Sequence, residues 1–191
     1  MQKIKAVIFD LDGVLVEAKD WHYEALNMAL AVFGCDFSYE EHLTTFDGLP
    51  TKTKLNLLHE IKNFPLELSE IVYDLKQIYT NEFFSTRCFP DFSIDYLFRK
   101  LRENNIRTAV ASNSIAATVN QAMVNLDIQK YIEFSLSNED VNEPKPSSEI
   151  YLKAIEMLDL LPSECLIIED NINGITAAKA SGAFCLEVKE V

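Results

Sequence analysis

The chain has 191 residues, of which 48% are hydrophobic and 25% charged, a composition typical of a globular protein and too apolar for a disordered one. Its 17 basic and 30 acidic residues give a formal net charge of −13, which argues against nucleic acid and anionic membranes as partners. An anionic substrate is still allowed, because a bound cation and one lysine can reverse the local field. The 4 cysteines form no Cys-x-x-Cys pair, and no apolar stretch approaches the about 18 residues of a membrane span. We therefore expect reduced thiols in a cytoplasmic protein.

The first predicted element is a strand at residues 5–11 (KAVIFDL), which is continuously apolar and therefore buried on both faces. Four predicted helices follow without any strand pattern between them, at residues 20–33, from 38, 52–61 and 66–84. Gly34 stands where a helix would end, and Ser38 with Glu41 forms a capping-box pattern. We predict an inserted helical domain at residues 17–85, with linkers at 16–19 and 86–90.

Beyond the inserted domain, helices and strands alternate. The predicted helices lie at residues 91–104, 115–126, 147–158 and 174–180, and the predicted strands at 107–111, 131–136, 165–169 and 184–188. This alternation predicts a Rossmann-like α/β core with a parallel sheet and helices on both faces. Residues 1–16 and 86–191 would form that core.

Polar residues follow the predicted strands at their carboxyl ends, where ligands bind in open parallel sheets. The segments are Asp10-Leu11-Asp12-Gly13, Ser112-Asn113 and Glu169-Asp170-Asn171. Right-handed crossovers bring such ends to one face of the sheet. We expect these side chains to form a single site.

Asp10 and Asp12 are two residues apart, so an extended chain would place both carboxylates on one side, where they repel unless a cation intervenes. Mg²⁺ prefers a few carboxylates together with water and phosphate oxygens, and Asp170 is the natural third carboxylate. A turn with solvated acids is the alternative for a lone Asp-x-Asp-Gly. Its position directly after an apolar strand, with a second acidic pair after another, favours the metal site.

Ser112 and Asn113 can donate hydrogen bonds to phosphoryl oxygens, aided by the N-terminus of the next helix; the alternative is that one of them caps that helix. Lys145 lies between Pro144 and Pro146 and can neutralise both a nucleophile and a transferring group. The alternative for a single lysine is a solvated surface charge. Together these residues predict a phosphoryl-transfer site.

This ordered set resembles the haloacid dehalogenase (HAD) superfamily, and in particular the branch of β-phosphoglucomutase and the phosphatases with a helical cap. The resemblance covers essentially the whole chain, and its elements occur in the family's order: Asp10-Leu11-Asp12-Gly13-Val14-Leu15, Ser112, Lys145, then Glu169-Asp170-Asn171 with Gly174 and Gly182.

The resemblance implies a role for each matching residue. Asp10 would attack phosphorus to form an aspartyl-phosphate, and Asp12 would act as general acid and then as general base. The Asp10 carboxylate, the Asp12 backbone carbonyl and Asp170 would bind Mg²⁺, with Glu169 nearby or bound through water. Ser112 and Lys145 would stabilise the transferring phosphoryl group.

The resemblance also makes the helical domain a cap that closes over the site and selects the substrate. Its candidate substrate-binding residues are His22, Gly48, Thr51, Lys52 and Lys76, with Lys54 as a further candidate in the same loop region. The alternatives are a polar helix residue for His22, a helix-opening loop for the segment around Gly48 and Thr51, and a solvated Lys76.

Three functions follow from these patterns. The leading prediction is a Mg²⁺-dependent phosphatase for a small phosphorylated metabolite such as a sugar or polyol phosphate, acting as a monomer or homodimer. A phosphosugar mutase is the second, but no arginine lies near Gly48 to hold a second phosphate. A non-catalytic binding module is the third, and the presence of Asp10, Asp12 and Lys145 argues against it.

Overall fold

A computed structural model describes residues 3–188. It divides the chain into two compact units, of which one comprises the residues up to Glu17 and those from Cys88 onward, and the other comprises Ala18–Arg87. Among the described residues, no helix combines the length and apolar character needed to cross a membrane.

The first unit is built on a parallel sheet of five strands in the order β3-β2-β1-β4-β5. The strands are β1 (Ala6–Phe9), β2 (Arg107–Ala111), β3 (Ser135–Leu136), β4 (Cys165–Glu169) and β5 (Phe184–Glu187). β1 is central, because Ala6 is level with Arg107 on one side and with Cys165 on the other. The first strand in the sequence therefore holds the middle of the sheet.

Helices pack around this sheet, as the sequence predicts. They are α5 (Phe92–Glu103), α6 (Ala116–Asn125), α7 (Glu149–Met157) and α8 (Ile172–Ala180). On one face, Ala6 and Ile8 join a buried cluster with residues of α7 and α8, including Tyr151. Phe9 packs against Phe98 of α5, with ring centroids 4.8 Å apart. Both sides of β1 are therefore covered, which explains its uninterrupted apolar sequence.

The third strand is shorter than predicted, since only Ser135–Leu136 forms regular strand where residues 131–136 are expected. Backbone bonds from Glu133 to Thr108 and from Val110 to Phe134 carry the pairing somewhat further, but Tyr131 already belongs to a turn closed on Ile128. A short strand limits the unpaired backbone at the sheet edge.

The second unit is helical. It contains α1 (Lys19–Ala31), α2 (Tyr39–Glu41), which continues as a π-helical turn at His42–Phe46, α3 (Thr51–Lys62) and α4 (Ser69–Arg87). The predicted capping box is confirmed, because Ser38 Oγ accepts from Glu41 N at 3.2 Å and Ser38 N donates to Glu41 Oε2 at 2.6 Å. Leu26, Leu30, Phe37 and Phe46 belong to this unit's own buried core.

The linkers between the units are shorter than predicted. α1 already begins at Lys19, and α4 continues through Arg87. In the last turns of α4, the hydroxyls of Ser85 and Thr86 donate to the carbonyls of Asn81 and Glu82 at 2.8 and 2.7 Å. Arg87 pairs with Glu24 at 2.8 Å, so the helix remains held to its own unit up to its final residue.

Candidate active site

Lys145 is the centre of the candidate active site. Its ammonium group donates to Asp10 Oδ1 at 2.6 Å, to Glu169 Oε1 at 2.6 Å and to the Ala111 carbonyl at 2.8 Å. These bonds use all three donors of the ammonium group. The residue is 3% exposed, so the solvated-lysine alternative is wrong. Three strand ends, those of β1, β2 and β4, are joined at one buried cation.

The charges of this cluster depend on one another. Burial raises the pKa of Asp10 well above its ordinary value, and the Glu169 carboxylate raises it further, whereas Lys145 lowers it. For Lys145, burial lowers the pKa, but the carboxylates of Asp10 and Glu169 outweigh burial and the net shift is upward. The lysine therefore keeps its charge, and additional positive charge nearby would favour an ionised Asp10.

Carboxylate oxygens of Asp10, Glu169 and Asp170 lie within 4.8 Å of one another. These are hard oxygen ligands, the kind that Mg²⁺ prefers, and the single lysine among them does not balance their charge. The residues therefore fit a divalent cation. The Asp12 side chain is not among the carboxylates of this group, and the expected metal contact of its backbone carbonyl stays a prediction.

Asp10 and Asp12 have different partners although they are two residues apart. β1 ends at Phe9, and the chain then turns at Gly13, which has a φ of 88°. Gly13 N donates to Val16 O at 2.7 Å, which closes the turn. Glycine suits this position because a side chain is strained at positive φ. Ser114 Oγ donates to Asp12 Oδ2 at 2.8 Å, whereas Asp10 accepts from Lys145.

Ser112 is 1% exposed at the end of β2, and its Oγ accepts from Ser114 N at 3.0 Å. With the acceptor side of the hydroxyl engaged in this way, its proton can be donated elsewhere. Neither Ser112 nor Asn113 caps α6, whose N-cap position is Ile115. The N–H of Ala116 at the start of that helix already donates to Glu139 Oε2 at 3.0 Å.

Asn113 holds the lysine loop. Its Nδ2 donates to the Lys145 carbonyl at 3.2 Å, and its Oδ1 accepts from Lys145 N at 3.0 Å. This pair of bonds fixes the backbone of Lys145 from the end of β2. The side chain predicted to contact phosphate thus also positions the catalytic candidate Lys145.

Two contributors were missed by sequence reasoning. Ser114 contacts Asp12, and its only sequence signal is its position two residues after Ser112. Tyr151 of α7 donates from its hydroxyl to Glu169 Oε1, and its ring lies under the Lys145 ammonium, 4.8 Å from Nζ to the centroid. Burial and then Glu169 raise the pKa of Tyr151 well above its ordinary value, so the hydroxyl keeps its proton. Tyr151 lies on the apolar face of a helix, where nothing in the sequence sets it apart from core.

The candidate cap residues all lie in the helical unit. His22 of α1 and Lys76 of α4 are brought together, with Nζ 3.3 Å from Nδ1, and Lys76 is only 7% exposed. Lys52 lies over the Tyr73 ring at 5.7 Å, and Thr51 is the first residue of α3, after Pro50 at its N-cap. Gly48 has a φ of 69°, which favours glycine in that loop.

Gly174 on α8 allows the helix to approach Glu169. A Cβ at this position would overlap the Glu169 carboxylate. Gly174→Ala should therefore destabilise the protein by roughly 1–3 kcal/mol, although alanine is normally the better helix former by about 1 kcal/mol. Urea unfolding monitored by circular dichroism would measure the change.

Thr176→Ala, at an exposed position on the same helix, is the matched control and should leave the midpoint nearly unchanged. A Gly174→Ala protein as stable as the wild type would contradict this account of the helix contact.

A parallel α/β sheet that gathers three carboxylates and a buried lysine at its strand ends has an acidic site at the edge where such sheets bind ligands. The family model for haloacid dehalogenase-like hydrolases matches residues 7–188, and the chain belongs to that family. The predicted superfamily and enzyme class, a phosphoric monoester hydrolase, are thereby confirmed.

Known proteins resemble the chain along nearly its whole length. A phosphorylated carbohydrates phosphatase of Thermotoga maritima is 26% identical over 182 residues, covering 94% of this chain and 82% of that protein. A β-phosphoglucomutase structure from Clostridium difficile has a TM-score of 0.85 at 25% identity and covers 96% of this chain and 84% of its own. CbbY from Rhodobacter sphaeroides, solved with xylulose-1,5-bisphosphate, has a TM-score of 0.87 at 24% identity, covering 98% and 87%, and shows the shared fold.

Proposed function

We propose that the protein is a Mg²⁺-dependent phosphatase that hydrolyses a small phosphorylated metabolite, such as a sugar or polyol phosphate, through an aspartyl-phosphate on Asp10. The observation that carries the proposal is the buried Lys145 ammonium bound to both Asp10 and Glu169 at 2.6 Å, with Asp170 in the same carboxylate group. The phosphatase names of relatives across nearly the full chain support the same reaction class.

The reaction would proceed in two steps at Asp10. Lys145 binds Oδ1, which leaves Oδ2 to attack phosphorus while the bond from phosphorus to the leaving oxygen breaks. Asp12 would protonate that oxygen as it leaves. Asp12 would then remove a proton from water, the water oxygen would attack phosphorus, and cleavage of the Asp10–phosphorus bond would release phosphate.

Charge neutralisation would be shared between the lysine and a metal ion. Asp10, Asp170 and the backbone carbonyl of Asp12 would hold Mg²⁺, with Glu169 close by, and the bound ion supplies positive charge beside the phosphoryl group. Lys145 donates all three ammonium hydrogens to protein acceptors, so its main task would be to favour the ionised form of Asp10, whose pKa it lowers, and to hold Asp10 and Glu169 in place. The Ser112 hydroxyl would donate to a phosphoryl oxygen.

The helical unit would act as the cap, with His22, Gly48, Thr51, Lys52 and Lys76 selecting the leaving group. The buried position of Lys76 beside His22 supports a role beyond a solvated surface charge. We place the protein in the cytoplasm because its four cysteines are free thiols, and we keep monomer or homodimer as the expected state.

A phosphosugar mutase is the second candidate, favoured by the likeness to the β-phosphoglucomutase structure. The chain offers no arginine near Gly48, and threonine cannot replace a bidentate guanidinium in holding a second phosphate. A mutase would need priming by a bisphosphate, whereas a phosphatase would release phosphate at once from a monoester.

A panel of sugar, polyol and other metabolite monophosphates, assayed for phosphate release with Mg²⁺, tests the function directly. We expect turnover of at least one alkyl monoester, complete loss of activity with EDTA, recovery with Mg²⁺, and inhibition by Ca²⁺, whose looser coordination misplaces the attacking carboxylate. If calorimetry shows that the protein binds Mg²⁺ but no member of a broad panel releases phosphate, the proposal of a phosphatase would be rejected.

Asp170→Asn tests the metal site separately. Loss of one of the three clustered carboxylates should raise the Mg²⁺ concentration for half-maximal activity by at least about tenfold. Glu156→Gln removes an exposed carboxylate of α7 and should leave that concentration unchanged. An Asp170→Asn protein with the wild-type Mg²⁺ requirement would show that Asp170 is not a ligand.

A further inference from the structure

The side chain of Ser114 donates a hydrogen bond to the Asp12 carboxylate. Its Oγ donates to Asp12 Oδ2 at 2.8 Å, across 102 residues of sequence. Both residues are partly buried, so water competes less for this bond than it would at the surface. The bond joins the turn after β1 to the segment after β2.

The backbone of Ser114 is held on both sides. Its N–H donates to Ser112 Oγ at 3.0 Å, and its carbonyl accepts from Asn138 N at 3.1 Å. Asn138 also donates from Nδ2 to the Asn113 carbonyl at 2.8 Å. The Ser114 hydroxyl is therefore presented by a fixed segment.

The two aspartates have different surroundings, which suit the different roles proposed for them. The Asp10 oxygens belong to the carboxylate group with Glu169 and Asp170, whereas the Asp12 carboxylate lies outside it and meets a neutral donor. A carboxylate has a soft terminal torsion, so one fixed donor on Oδ2 decides where the other oxygen, Oδ1, points. The oxygen that must carry a proton is thus oriented by Ser114.

We infer that Ser114 is a positioning residue that orients the Asp12 carboxyl group for proton transfer to the leaving oxygen and from the attacking water. The inference rests on the proposed function. It adds a residue that acts through Asp12 and needs no contact with the substrate.

The leaving group provides the discriminating test. An alkyl phosphate expels a strongly basic alkoxide, so its departure needs a proton from Asp12. The nitrophenolate of p-nitrophenyl phosphate is weakly basic and leaves without one. A defect in positioning Asp12 should therefore slow the first step for alkyl esters only, and slow the second step for every ester, because the attacking water always needs the base.

The experiment compares Ser114→Ala, Ser114→Thr and the matched control Ser93→Ala, an exposed serine on α5. The substrates are p-nitrophenyl phosphate and the alkyl monoester that wild-type protein hydrolyses fastest, rapidly mixed in excess over the enzyme with Mg²⁺ so that the first turnover and the steady state are both followed. Ser114→Ala should release alcohol from the alkyl ester about 10–100-fold more slowly, part of the 10²–10⁴-fold that a positioned acid contributes. It should release one equivalent of nitrophenolate at the wild-type rate and then turn over slowly.

Ser114→Thr keeps a hydroxyl and should restore the alkyl rate, and Ser93→Ala should behave as wild type with both esters. Equal slowing with both esters in the first step, or no slowing at all, would overturn the positioning role while leaving the phosphatase intact. If wild-type protein and Asp10→Asn release product equally slowly from both esters, the proposed function falls and the inference falls with it.

Discussion

Replacing Asp10 with asparagine should lower kcat by on the order of 10⁴-fold or more, because an amide cannot attack phosphorus. Asparagine keeps the size of the side chain and still offers an oxygen to Lys145, which also retains its 2.6 Å contact with Glu169. Burial and Glu169 already raise the pKa of Asp10, so a neutral group at this position is compatible with the fold. The loss should therefore be chemical rather than structural.

Two measurements check this expectation. Steady-state phosphate release gives the loss in kcat, and acid quenching during turnover followed by mass spectrometry should find one added phosphoryl group on wild-type protein at Asp10 and none on the variant. Asp74→Asn, at an exposed position of α4, is the matched control and should retain full activity. Turnover by Asp10→Asn within a few-fold of wild type would identify a different nucleophile.

Of the substitutions considered, Lys145→Met should lower the free energy of unfolding most. It should also lower kcat by an amount comparable to Asp10→Asn. The change removes the only described cation that contacts both Asp10 and Glu169, and it leaves two buried carboxylates facing each other. Breaking a buried ion pair on one side typically destabilises a protein by about 3–5 kcal/mol. For a chain of this size that corresponds to a drop of about 6–20 °C in melting temperature.

The melting temperature is measured by calorimetry without Mg²⁺, so that the variant is not rescued by metal binding. Lys130→Met is the control: Lys130 pairs with Asp127 at the same 2.6 Å but is exposed to solvent, where an ion pair contributes little. Its melting temperature should match the wild type. A Lys145→Met protein that melts with the wild type would mean that the buried lysine does not stabilise the carboxylate cluster.

The sequence predicts the sheet well because its strands are buried on both faces. The β1 and β4 sequences, AVIF and CLIIE, are continuous apolar runs, and the acids that follow them mark the strand ends. Since parallel strands end at one edge of the sheet, the sequence groups Asp10, Ser112 and Glu169, whereas Lys145 lies in a loop that follows no strand directly. The family pattern added the separate tasks of the two aspartates.

Other features depend on contacts that local sequence does not encode. Asn113 reads equally well as a helix cap or a phosphate ligand, and its bonds to the Lys145 backbone exist only because two distant loops meet. Tyr151 lies on an apolar helix face, and its hydroxyl has a hydrogen-bond acceptor only because the fold brings Glu169, at the end of β4, next to it. The predicted helix at 66–84 ends too early, because α4 continues to Arg87, and the hydroxyls of Ser85 and Thr86 donate to carbonyls one turn back in the helix.

The central position of β1 has a consequence for how the protein is made. On a ribosome β1 emerges before both of its neighbours, which are encoded from Arg107 and from Cys165 onward. At a synthesis rate of about 5–20 residues per second, the apolar strand β1 lacks pairing partners on both edges for many seconds. The intervening segment Ala18–Arg87 forms a compact unit with its own core, so it can fold during that delay. During synthesis, the strand that precedes Asp10 therefore waits longer for its pairing partners than any other strand of this sheet.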